Sequence, residues 1–298
     1  MARAAAPRHA IELNADFGEG FGVFPAPAQV WRAAYERGGP LMPDGDGGAA
    51  SVDAYMRLVS TVNLACGFHA GDPLLIKGYV AAAVANGCTI GAHVSFPDLA
   101  GFGNRYMELT PADLKAVVQY QIGALAGLAA THGAGLDHVK AHGVLYNRSM
   151  DDGDLARTFC EAVAEYDGDL PVYGLPGSAV EAAATAIGQP FRREAYSDRA
   201  YHDTGRLVDR ARPDAMILDA EAVARRVVAM AVDGVVESIE GPAVAIAPQT
   251  VSFHADSPGA QRMLESTVSA LATAGVAVEG VMMPPATEPV LRQGAPRP

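Results

Sequence analysis

Apolar runs recur along the chain, and each is followed by a polar loop, a helical stretch and a glycine. The strand candidates are IELN (11–14), TVNLAC (61–66), CTIGAH (88–93), LDHVKAH (136–142), LPVYGL (170–175) and AVAIA (243–247). They read as continuous apolar segments, the pattern of parallel strands covered on both faces. Helices are predicted between them. Asp72-Pro73 supplies an N-cap and a proline at the first helical position, and Gly87 closes that helix. Thr110-Pro111 with Asp113 opens a second, which ends near Gly133, and later ones span about 178–188, 219–234 and 257–275.

Strand and helix in this alternation predict a parallel α/β fold. No G-x-G-x-x-G or G-x-x-x-x-G-K-[ST] follows a strand, so a dinucleotide or P-loop site has no support. Polar motifs instead recur at the carboxyl ends of several strands, where an α/β barrel carries its active site. The expectation is one (β/α)-barrel domain over residues 1–280. Residues 23–50, with four prolines, interrupt the rhythm and are either a lid over the site or a disordered insertion. The proline-rich 281–298 reads as a flexible tail.

Composition narrows the function classes. Half of the residues are hydrophobic and 19% charged, which permits a large core. With 22 basic against 34 acidic residues the net charge is −12. Nucleic acid and anionic membrane surfaces are therefore poor partners, although a small anion can still bind local cations. No apolar run reaches the ~20 residues of a membrane span, and MARAAAPRHA has no signal-peptide core. Cys66, Cys88 and Cys160 lack C-x-x-C spacing and fit free thiols in a reducing cytoplasm.

Four clusters at strand ends could carry chemistry. NADFGEGFG (14–22) holds Asp16 and Glu19 between glycines, able to bind a metal, act as base or hold a cation. NLACGFHAGDP (63–73) contributes Asn63, His69 and Asp72, of which Asp72 is also explained as a helix cap. GAHVSFPDLAGFGNR (91–105) contributes His93 and Arg105, the latter suited to a carboxylate or to an ion pair with Asp98. HVKAHGVLYN (138–147) sets Lys140 and His142 on one face of a strand, with His138 deeper on the same face. Two weaker patches add Glu194, Asp198 and Arg199, then His254 and Asp256. No G-x-S-x-G elbow or H-E-x-x-H helix occurs. The inventory fits hydrolysis by acid–base groups acting on water, with or without a divalent metal held by Asp16, His69, His93 and His142.

In order and composition these motifs resemble the LamB/YcsF family, the A-type subunits of 5-oxoprolinases. The carrying segments are Leu13–Gly20, Asn63–Pro73, Gly91–His93 and Tyr120–Leu125, within a match running from about Ile11 to Gly280. Departures include Val94, Asn104, Ala141, Tyr196-Ser197 and Ala255 where the family pattern carries other residues. The resemblance implies a distorted, seven-stranded barrel of the glycoside hydrolase/deacetylase type. It also implies ATP-dependent opening of 5-oxoproline to glutamate, with ATP and Mg in an assembly containing B and C subunits. In that scheme Asp16 or His142 activates water, His69 and His93 position water or metal, and Lys140 stabilises the oxyanion. Glu19, Asn63, Asp72, Arg105, Asp198, Arg199, His254 and Asp256 bind substrate. Two alternatives stay open: a self-sufficient metal-dependent deacetylase or amidase, and a non-catalytic lactam-binding subunit. The chain does not exclude a homo-oligomer.

Overall fold

The computed structural model describes residues 9–21, 24–25, 41–43, 49–255 and 257–281. Its centre is a closed barrel of seven parallel strands. These are β1 (His9–Phe17), β2 (Thr61–Ala65), β3 (Thr89–Val94), β4 (His138–Ala141), β5 (Val172–Gly174), β6 (Phe191–Tyr196) and β7 (Thr250–Phe253). They pair in chain order, and β7 returns to β1 through Glu12↔Thr250 to Ala15↔Phe253. A final strand, β8 (Val276–Val278), extends the sheet beside the start of β1.

Helices follow the strands and cover the barrel's outside. They are α1 (Val52–Met56), α2 (Pro73–Asn86), α3 (Pro111–Ala130), α4 (Gly143–Ser149), α5 (Gly153–Tyr166), α6 (Ala179–Ile187), α7 (Ala220–Val232) and α8 (Ala260–Thr273). Their punctuation is local. Asp72 accepts hydrogen bonds from the amides of Leu74 and Leu75 at 2.9 and 3.0 Å, and Gly87 ends α2 with φ 73°. The expected start of α8 at Ser257 moves to Ala260 after Gly259, because Ser257 Oγ instead donates to Asp198 Oδ2 at 3.0 Å.

Strand side chains sort by parity, with the polar set inside. Ile11, Leu13 and Ala15 of β1 face the helices and join Val62, Leu64, Ile90, Ala92 and Val139 in the main core. Glu12, Asn14 and Asp16 alternate with them. The lumen contacts run from Asn14 Nδ2 to Thr250 Oγ1 at 2.8 Å and to Glu194 Oε1 at 3.1 Å. Inside the lower barrel, Tyr173 Oη donates to Glu12 Oε1 at 2.8 Å while the His138 ring stacks on Tyr173 at 3.8 Å. Gly91 makes room for that layer, since a Cβ there would enter the His138 ring.

Five of the six strand candidates are barrel strands; AVAIA is not. Ala243–Ala245 pairs antiparallel with Val235–Glu237 outside the barrel. The sixth and seventh barrel strands are instead FRREAY and TVSF, segments that read as polar patches. Both spend their inward positions on lumen groups, Glu194 and Ser252 among them, so apolar content understates them. Apart from short strand pieces, the expected lid over 23–50 lies outside the described residues. So does the tail beyond Val281.

Candidate active site

Asp16, Glu19, His69, His93 and His142 converge at the carboxyl ends of the barrel strands, whereas His138 and Glu12 lie in the layer below. Asp16 ends β1, His93 lies near the end of β3, and His142 follows β4. Glu19 and His69 enter from the loops after β1 and β2. A cavity of about 260 Å³ opens there, lined by Asp16, Glu19, His93 and His142. Arg199, Arg210 and His254 line it too.

Three imidazoles and one carboxylate form a compact donor set: His69, His93, His142 and Glu19 offer ligand atoms all within 4.8 Å of one another. Hydrogen bonds set the tautomers. His93 Nδ1 faces the Lys140 carbonyl at 3.3 Å, and His142 Nε2 faces the Phe102 carbonyl at 2.9 Å. A carbonyl can only accept, so these two nitrogens carry the protons and His93 Nε2 and His142 Nδ1 keep their lone pairs. Ser95 Oγ donates to the Phe96 carbonyl at 2.8 Å and so accepts from His69 Nδ1 at 3.1 Å. His69 Nε2 is thereby left bare, buried and without a hydrogen-bond partner. Two of the lone pairs, on His93 Nε2 and His142 Nδ1, lie 3.0 Å apart. Glu19 Oε1 lies 3.5 Å from His142 Nδ1 and 3.9 Å from His69 Nε2.

Burial reinforces neutrality. It pushes His69 and His93 well below the ordinary imidazole range and His142 down to about 4, so near neutral pH all three are unprotonated ligands. Bare nitrogens crowding a carboxylate repel one another unless a cation lies among them. The donor set therefore fits a divalent ion with imidazole and carboxylate preference, such as zinc or manganese. The sequence-level set had Asp16 in the place Glu19 takes; Asp16 Oδ2 stands 3.6 Å from His93 Nε2.

Backbone packing makes the cluster possible. His69 and His142 stack at 3.8 Å with their planes 6° apart. Gly103, with φ +70°, lies against both, and a Cβ there would stand 2.7 Å from His142 Cδ2. Gln121 on α3 clamps Ser95, accepting from its amide at 3.0 Å and donating to its carbonyl at 2.8 Å. The helical motif Tyr120–Leu125 thus acts on the site through Ser95 and His69.

Beneath the cluster lies a buried ion group. Lys140 Nζ sits 3.0 Å from Asp16 Oδ1, from Glu194 Oε1 and from Ser252 Oγ. Asn63 Nδ2 donates to Asp16 Oδ1 at 2.7 Å, while His138 Nε2 meets Asn63 Oδ1 at 2.5 Å. Burial would raise Asp16, but the Lys140 ammonium outweighs it and holds the carboxyl well below the carboxylate range. Likewise burial would lower Lys140, but Asp16 and Glu194 hold it protonated. Lys140 is 1% exposed and off the cavity wall, so it anchors Asp16 rather than reaching toward a ligand.

The remaining expected residues divide. His254 lines the cavity, and Asp198 stands behind it, its Oδ1 2.8 Å from His254 Nδ1. The pair leaves His254 Nε2 toward the cavity, where Arg210 contacts it. Arg199 is on the wall. Asn63 is buried below Asp16, Asp72 caps α2, and Arg105 pairs with Asp98 through Nε at 2.9 Å. None of these last three lines the cavity: cap and turn geometry uses the polar atoms of Asp72 and Arg105, and the lumen partners Asn14, Asp16 and His138 use those of Asn63. Asp256 lies outside the described residues. Reading the sequence missed Asn14, Ser95, Gln121 and Arg210. Asn14, Ser95 and Gln121 lay within recognised motifs without being singled out, and Arg210 carries no local signal at all.

Fold and site together define an α/β-barrel protein with a polar, acid–histidine centre at the strands' carboxyl ends. The LamB/YcsF family model matches residues 47–285, and the chain belongs to the LamB/YcsF family. It is 43% identical over 270 residues to a Bordetella pertussis protein named as the A subunit of 5-oxoprolinase, covering 91% of this chain and 98% of that one. A Streptomyces coelicolor protein of the same name is 42% identical over 268 residues, covering 90% and 98%. Among solved structures, the lactam utilization protein of Thermus thermophilus superposes with a TM-score of 0.78 at 38% identity. That match covers 91% of this chain and 99% of the other.

Proposed function

We propose that this chain opens a small lactam, 5-oxoproline in the first instance, to its amino acid, acting as the A-type subunit of an ATP-dependent 5-oxoprolinase. The observation that carries the reading is the cluster of His69, His93, His142 and Glu19 beside ionised Asp16, inside a cavity sized for a ligand of a few heavy atoms. The names of the relatives supply the substrate class.

The reaction adds water to the lactam carbonyl carbon, breaks the ring C–N bond and leaves a proton on the departing nitrogen. A lactam is resonance-stabilised, so attack by neutral water is slow; phosphorylation of the carbonyl oxygen by ATP and Mg in the assembly with B and C subunits, with release of ADP, would activate that carbon. Water addition and C–N cleavage would then leave an acyl phosphate that a second water hydrolyses to the amino acid and inorganic phosphate. A divalent ion held by the three histidines and Glu19 would polarise an oxygen and acidify a water. Asp16 keeps a fixed negative charge that orients donors around the attacked carbon. His254, oriented by Asp198, would pass a proton at Nε2 once a ligand displaces Arg210 from it. Arg199 offers a guanidinium to an anionic group of the substrate.

The test is glutamate release from 5-oxoproline by the purified chain, with and without ATP and partner B and C subunits. Release only in the complete, ATP-containing mixture supports the reading. No release with partners shown to be active removes 5-oxoproline as substrate. The donor cluster favours one second reading, a self-sufficient metal-dependent amidase or deacetylase. ATP-independent turnover, lost with chelator and restored by zinc or manganese, would select it.

A further inference from the structure

The cavity that holds the histidine cluster also carries charge of the other sign. Asn104, Asn147, Arg199 and Arg210 line both the main cavity and a neighbouring one of about 360 Å³. Arg199 is 5% exposed, gives one NH2 hydrogen to the Val208 carbonyl at 2.5 Å, and leaves its buried Nε without a partner. Arg210 is exposed, and its guanidinium contacts His254 Nε2. Among the described residues neither guanidinium forms an ion pair with a carboxylate, although the chain carries 34 acidic residues. Arg206, on the wall of the neighbouring cavity, shows the contrast: its Nε pairs with Asp151 at 2.8 Å. Asp209 also lines the neighbouring cavity, with Oδ1 taken by the Ala211 amide at 2.9 Å.

Asp198, the buried carboxylate that interacts with both, is already engaged by His254 at 2.8 Å and by Ser257 at 3.0 Å. Two like charges left beside it, one of them buried, mark a place where a further anion completes the structure. A single carboxylate is satisfied by one guanidinium fork. Two guanidinia with two side-chain amides present more donors than its two oxygens accept, whereas a phosphoryl group offers three oxygens and up to two charges. We propose that Arg199 and Arg210, with Asn104 and Asn147, form a phosphoryl subsite beside the acid–histidine centre. The placement rests on reading that centre as the lactam site, and it puts a phosphoryl-bearing ligand across both lobes. Two sources share this chemistry: a phosphorylated small substrate and the phosphates of a nucleotide.

The test is calorimetric titration of the full chain, in chelator-containing buffer, with inorganic phosphate, ADP and acetate in turn. Phosphate is expected to bind, and Arg210→Met to weaken it roughly tenfold or more, as loss of a charge-assisted contact implies. Because Arg210 is exposed, an unchanged Tm for that variant excludes misfolding, and Arg199→Lys gives a second, charge-conserving loss of the fork. ADP binding far tighter than phosphate through the same arginines assigns the subsite to a nucleotide; ADP no tighter assigns it to a phosphorylated substrate. Absence of phosphate and ADP binding, binding indifferent to both variants, or acetate matching phosphate would each overturn the proposal. Glutamate release is scored separately, so failure here leaves the lactam reading standing, and the reverse also holds.

Discussion

His93 Nε2 and His142 Nδ1 face each other at 3.0 Å, each with its other ring nitrogen engaged by a backbone carbonyl. Neither can donate to the other while both are neutral, so the contact calls for a cation. We expect the purified chain to retain about one zinc- or manganese-type ion. His93→Ala should lose it, and Glu19→Gln should bind it about 10–100-fold more weakly, by analogy with altered metal-site partners. Elemental analysis after dialysis, with titration of the stripped protein, reads both. A stripped wild type that takes up no metal would remove the assignment.

Lys140 is the only cation in contact with the partly buried Asp16 and the buried Glu194 carboxylates among the described residues. Lys140→Met leaves a buried acid and a partly buried one uncompensated, and breaking such a group costs about 3–5 kcal/mol. Urea unfolding should show this as a lower midpoint with unchanged slope. A loss under about 1 kcal/mol would mean that the lumen is wetter than its burial indicates.

Burial alone would raise the Asp198 carboxyl, but His254, the Ser257 hydroxyl and Arg210 hold it below its ordinary value. A depressed carboxylate stabilises the fold above its unfolded pKa, about 4, and that contribution is lost as pH falls through the lower folded value. Stability of the wild type should therefore drop more steeply below about pH 4 than that of Asp198→Asn. Parallel acid-stability curves for the two proteins would contradict this.

Gly91 is small because His138 occupies the space its side chain would need. Gly91→Ala should destabilise by about 1–3 kcal/mol through overpacking. It should also disturb Asn63, and through it Asp16, which accepts from Asn63 at 2.7 Å. Thermal unfolding and turnover should fall together. Full activity with a lowered Tm would separate the lower layer from the site.

Legibility followed locality. Helix caps such as Asp72 and Gly87 depend on neighbours a few residues away and could be read directly. So could β1 to β5, whose outward residues are apolar enough to register as runs. β6 and β7 escaped because a lumen filled with Glu194, Thr250 and Ser252 inverts the usual expectation that a barrel interior is apolar. Glu19 was recognised as a site carboxylate, yet its place beside the three histidines depends on contacts with residues 50 to 123 positions away.

By itself the sequence determined the parallel barrel, the strand-end location of the chemistry and the identity of the histidines, because periodicity, caps and motif order are properties of neighbouring residues. Only the tertiary structure decided which nitrogen of each histidine is bare, that Lys140 holds Asp16 from below, and that Arg210 meets His254 across 44 positions of chain. Those facts depend on barrel closure, which brings distant strand ends within hydrogen-bond reach, and no local pattern records where a closed sheet places its partners.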